Sequence, residues 1–179
     1  MENNKQRASS VVLTILSIAL VISLAVNVYL ALERSRIAEE QAEYVRGHMN
    51  MLCGDMIVLQ AQLGYGKETN WSEANNLWTI AGTIKDAEAH ALAVVNMTGG
   101  MSRNLSNDVV GSGLSDLGPD LSSSYADFRN AAFKRTNGDE FDNSRLEAFN
   151  DKMRKPNFPN QKTFTWPRFK TAVDKYFDR

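Results

Sequence analysis

Among the residues of this 179-residue chain whose side chains could transfer a proton, attack as a nucleophile or bind a metal, four stand out by type or spacing: the only two histidines, His48 and His90, the lone Cys53, and Asp86. Asp86 and His90 are four apart, so on a helix they share one face and could pair ionically or offer two ligands to a metal. Two ligands do not make a metal site, and the Glu-x-x-His pairs of di-iron bundles are missing. The structural ion pair is therefore the expected role. His48 and Cys53 are five apart, around the helix from each other, and Cys53 has no activating neighbour in sequence. It is expected to be a small buried apolar side chain among Met49, Met51 and Met56. Gly111-Ser112-Gly113 lacks the Lys-Ser/Thr of a phosphate loop. No catalytic residue, cofactor site or metal site is assigned, and the reading is non-enzymatic.

The clearest feature lies elsewhere. Val11 to Leu32 runs 22 residues without a charge, roughly 33 Å as a helix, enough to cross a bilayer core. Lys5 and Arg7 precede it, Glu33, Arg34 and Arg36 follow, and Tyr29 stands where an interfacial aromatic belongs. Ser23-Leu24-Ala25 offers a signal-cleavage pattern, but the apolar run outlasts the usual 7–15 residues or so of a signal core, which favours a retained anchor. The positive-inside count is nearly balanced. A short leading tail before one span is the usual layout of an exported domain, so the N-terminus is expected inside and the bulk outside. Within the span, Ala19, Ser23, Asn27 and Ala31 recur every fourth residue and form a candidate helix-association stripe, through which the chain could meet itself or another membrane protein.

Beyond the span, Ala38, Ala42, Val45, Met49, Leu52, Met56, Leu59 and Leu63 alternate spacings of four and three, a coiled-coil or bundle seam. The membrane helix is expected to run into it and stop at Gly64-Tyr65-Gly66. A second helix is expected from Asn70 or Ser72, with an Asn70–Glu73 capping box. Its stripe is Leu77, Ala81, Ile84, Ala91 and Val95, widened by Trp78, and it closes at Thr98-Gly99-Gly100. Residues 101–118 read as a weak, broken helix. Another should start near Pro119, present Leu121, Tyr125, Phe128 and Ala132, and end at Asn137-Gly138. A short helix follows Ser144 with a Glu147 capping box, bearing Leu146, Phe149 and Met153. Pro156 and Pro159 impose an extended linker. Thr165 caps a last helix carrying Phe169, Val173 and Tyr176, with Phe164 and Phe169 as its hydrophobic staple.

The fold class is thus all-α: a transmembrane helix continuing into an antiparallel bundle of three or four helices, with a small helical C-terminal appendage. The expected divisions are a tail at 1–10, the span at 11–32, the bundle at 33–137 and a basic region at 138–179. The layout resembles the helical ectodomains of bacterial signalling receptors, where a membrane helix feeds a bundle, though no family motif carries that likeness.

Charge is uneven: residues 33–128 sum to roughly −7 and 129–179 to roughly +5. The basic part either packs on the acidic helices or touches anionic headgroups with Phe158, Phe164, Trp166 and Phe169 alongside its cations. No nucleic-acid partner is expected. One cysteine permits no intrachain disulfide and does not fix the compartment. Asn70, Asn96 and Asn104 head formal glycosylation triplets that matter only in a lumenal eukaryotic domain. The function expected is a membrane-anchored, sensor-like or accessory module acting through helix association. A cell-envelope assembly factor and an enzyme with a dispersed site are the alternatives.

Overall fold

The computed structural model describes residues 2–98, 101 and 103–179, with side chains from residue 13 onward. Six helices and no strand occur among the described residues. They are α1 (Glu2–Glu68), α2 (Ala74–Asn96), α3 (Arg103–Gly111), α4 (Leu114–Thr136), α5 (Ser144–Arg154) and α6 (Trp166–Tyr176). The chain divides into two compact units, Met1–Gln41 and Ala42–Arg179.

In the first unit, the large apolar side chains between Leu13 and Leu32 are all at least 46 % exposed. This stretch is long and apolar enough to cross a membrane.

The second unit is built on the α1 seam. Val45, Met49, Leu52, Met56, Leu59 and Leu63 are buried against Leu77, Ile80, Ala81, Ile84, Ala87, Ala91 and Val94 of α2. α2 packs along α4, whose Leu114, Leu117, Leu121, Phe128 and Ala132 complete the core. His48 meets His90 and Tyr65 meets Glu73, while Lys85 meets Tyr125 and Leu92 lies beside Gly118, so successive long helices run antiparallel. α5 and α6 close the far side through an aromatic chain, Trp71–Phe128–Phe149–Tyr176, with ring centroids 5.8–6.4 Å apart. The basic C-terminal helices dock on acidic partners. Lys152 lies 2.8 Å from Asp120, Arg145 3.0 Å from Asp127 and Arg179 2.9 Å from Asp116. The Tyr176 hydroxyl donates to Asp120, and burial together with that bond pushes its pKa well up.

Several boundaries differ from expectation for identifiable reasons. α1 continues through Gly64 and Gly66 to Glu68, and the turn is made by Asn70 and Trp71, both at positive φ (50° and 55°). Asn70 therefore caps nothing. Glu73 is the N-cap of α2 without a side-chain bond, and its carboxylate instead accepts the Tyr65 hydroxyl at 2.8 Å. Trp78 points outward and is 43 % exposed rather than widening the seam. α4 begins at Leu114, after Gly113 at φ 76°, and contains Pro119. That proline gives up the bond to the Ser115 carbonyl and crowds it, a cost the packing of α4 offsets. At α5 the N-cap is Asn143, one residue before the predicted Ser144, whose hydroxyl donates to Asp142. Thr165 does cap α6, and Phe164 and Phe169 sit 6.3 Å apart. The expected stop at Gly99-Gly100 lies outside the described residues.

Gly66 is fixed by the turn it precedes. A Cβ there would fall 2.5 Å from the Trp71 ring, which is itself buried. On Gly82, in mid-α2, a Cβ would meet nothing within 4 Å. Gly66→Ala should therefore cost about 1–3 kcal/mol through overpacking, while Gly82→Ala should stabilise by about 0.5–1 kcal/mol through helix propensity. Urea unfolding of the two variants checks this, and equal effects would discount the packing role of Trp71.

Candidate functional site

The two histidines of the chain, 42 residues apart, face each other across the α1–α2 contact with Nδ1 atoms 2.9 Å apart. The seam places them. His48 flanks buried Met49, while on α2 the buried Ala87 and Ala91 frame His90 with small side chains that let the helices approach. The rings are tilted, with centroids 5.1 Å apart, and Tyr44 lies one turn before His48 with its ring 4.3 Å away. On the far edge of His90, Nε2 lies 3.7 Å from Asp55 Oδ2.

This geometry selects a protonation pattern. One Nδ1 must donate and the other accept. If His90 carries its proton on Nε2, facing Asp55, its Nδ1 is free to accept from His48. Asp55 itself is uncomfortable. Its Oδ2 is buried without a hydrogen-bond partner. Burial holds its pKa above the ordinary value, and Asp86 adds to that while His90 opposes it. His48 is pushed the other way, below its ordinary value, by burial and then by His90.

The predicted Asp86–His90 pair is therefore replaced by Asp55–His90, and His48 joins a cluster that sequence spacing did not connect. Asp86 contributes through the field at Asp55. Cys53 is fully buried, as expected, and burial raises its thiol to about 12, which keeps it protonated and unreactive. Among the described residues, no three His, Cys, Asp or Glu side chains are arranged to hold a metal ion. The two imidazoles can pass a proton across their Nδ1 contact. Ala19, Ser23, Asn27 and Ala31 lie together on α1, all exposed.

The pH dependence follows from the two shifts. A histidine whose folded pKa is depressed contributes stability that is fully present above about 6.5 and is lost as pH falls through the folded value. Asp55, with a raised folded pKa, does the reverse: its contribution is present below its ordinary 3.8 and lost as pH rises through the folded value. Acidification from pH 7 to 5.5 should thus lower the urea midpoint through His48, with Asp55 offsetting part of the loss at lower pH. His48→Asn keeps a donor near the Nδ1 position and removes the titration, so it should flatten that fall. An identical fall in the variant would clear the pair of responsibility. No known protein family, curated protein or solved structure matches the chain.

Proposed function

We propose that the chain is a single-pass membrane protein whose helical unit works by association rather than catalysis, as a sensor-like or accessory module. The observation that carries this reading is the exposed run from Leu13 to Leu32. Soluble monomers rarely expose a contiguous apolar patch above a few hundred Å², and here about twenty successive residues present apolar surface on every side, as a membrane span does. The cluster of His48, His90 and Asp55 would give the helical unit a means of responding to its surroundings. The proposed orientation places the N-terminus in the cytoplasm and residues 42–179 outside. A role in assembling a cell-envelope complex rests on the same features.

Alkaline carbonate washing of membranes tests the anchor: the full chain should remain in the pellet, and release into the supernatant would refute it. Protease treatment of intact cells tests the orientation. Loss of the helical unit is expected, and protection until lysis would reverse the assignment. Ala19→Leu with Ser23→Leu should also reduce self-association of the full chain in a membrane two-hybrid assay by several-fold; an unchanged signal would remove those two residues from the contact.

A further inference from the structure

α1 has two apolar faces in the helical unit, and the fold covers one. Outside the buried seam, Tyr44, Met51, Val58 and Tyr65 recur at intervals of seven and are 45, 56, 48 and 48 % exposed, Tyr65 with its hydroxyl bonded to Glu73. Between them, again at intervals of seven, stand Gly47, Gly54 and Ala61. A Cβ on Gly47 or Gly54 would meet nothing within 4 Å. From Gly47 to Gly66 the helix has no lysine, arginine or glutamate, and its charged positions are His48 and Asp55 alone. A surface helix in water carries a polar outer face, whereas a helix apolar all round is covered by something.

We propose that this outer face of α1, from Tyr44 to Tyr65, is the contact surface for a second copy of the same chain, in a parallel two-fold pair. The sevenfold spacing is that of a coiled-coil seam, with Tyr44, Met51, Val58 and Tyr65 at one core position and Gly47, Gly54 and Ala61 at the other. In a parallel pair each large side chain inserts beside the small residues of its partner. Met51 would enter a hole bounded by Gly47, Asn50, Met51 and Gly54 of the second copy, and the glycines allow close backbone approach. The orientation rests on the membrane reading above, since copies inserted the same way in one bilayer present their helices in parallel.

Area and charge both favour a copy of the chain as occupant. Half-exposed side chains of these sizes leave on the order of 500 Å² of apolar surface per copy, so a pair would bury about 1,000 Å², the threshold for a specific contact. Confinement to one membrane raises the effective concentration that such a contact requires. A strongly charged partner would find almost nothing to pair with along this face, whereas an identical face brings few charges to desolvate. Counting back by sevens, Ser23 falls in the register of Tyr44 and Ala19 in that of Gly47. Half of the small-residue stripe thus continues the same pattern.

Disulfide trapping of the full chain in its own membranes tests this. Met51→Cys and Val58→Cys should each give an oxidised species of twice the chain mass, at least several-fold more abundant than from Ser123→Cys on the exposed face of α4. The native Cys53 is buried and should stay silent. Adding Gly54→Leu, which fits the open space of the single copy, should suppress the Met51→Cys product several-fold while leaving the urea midpoint no lower. Equal trapping at Ser123, no trapping at 51 and 58, an adduct with another polypeptide, or indifference to Gly54→Leu would each overturn the pairing. Release of the chain by carbonate would refute the anchor, whereas a carbonate-resistant chain that fails to cross-link refutes the pairing alone.

Discussion

The helical unit depends on a single packed seam, the row from Val45 to Leu63 on α1 buried against Leu77 to Val94 on α2. α4 packs along α2 in the same core, and α5 and α6 reach that assembly through the aromatic chain that starts at Trp71, in the turn joining α1 to α2. Leu52, Met56 and Leu59 have no exposed surface, so truncating any of them would open a cavity costing about 2–5 kcal/mol. That is a large share of a typical domain's 5–15 kcal/mol or so. The histidine pair sits at the edge of this seam, where two part-buried imidazoles share one hydrogen bond. A second proton there would set N–H against N–H across the contact on which the rest is built.

A second, polar tie secures the C-terminal helices. Asp120 receives both Lys152 and the Tyr176 hydroxyl, and Lys152 also lies over the Tyr176 ring at 5.5 Å. The aspartates of α4 and the cations of the C-terminal region thus pair within one packed unit. Much of the charge asymmetry is spent on internal pairing, including Arg145–Asp127 and Arg179–Asp116. These pairs are partly exposed and individually weak. The burial of Leu146, Phe149, Met153, Phe169 and Val173 beneath them supplies most of the adhesion.

Periodicity made the seam legible, because spacings of three and four leave few alternatives for Val45 to Leu63. It also gave the all-α class, leaving the bundle at three or four helices, and residue type gave the Thr165 cap. Local chemistry was less legible wherever a distant group decided the outcome. Glu73 was free to cap α2, yet Tyr65 claims its carboxylate. Gly64 and Gly66 resembled a stop signal, yet the chain turns later because the Trp71 ring needs the space over Gly66. The site was the hardest part to read. His90 had a plausible partner at Asp86, but the fold gives it Asp55 and His48. Hairpin symmetry was the usable signal: His48 and His90 lie 42 residues apart, with Thr69 midway in the turn.

The glycines of α1 separate what the fold requires from what it does not. Each glycine inside a helix costs roughly 0.8–1.0 kcal/mol relative to alanine. Gly66 is explained within the chain, since any side chain there collides with Trp71. Gly47, Gly54 and Gly64 have no such reason, because a methyl group at each would point into open space. A free-standing copy would be more stable with alanine at all three, by a few kcal/mol on the same scale. Gly47 and Gly54 fall seven apart on the outer face, between large exposed side chains that also recur by sevens. A close helix approach from outside the single copy accounts for both the glycines and the exposed residues around them.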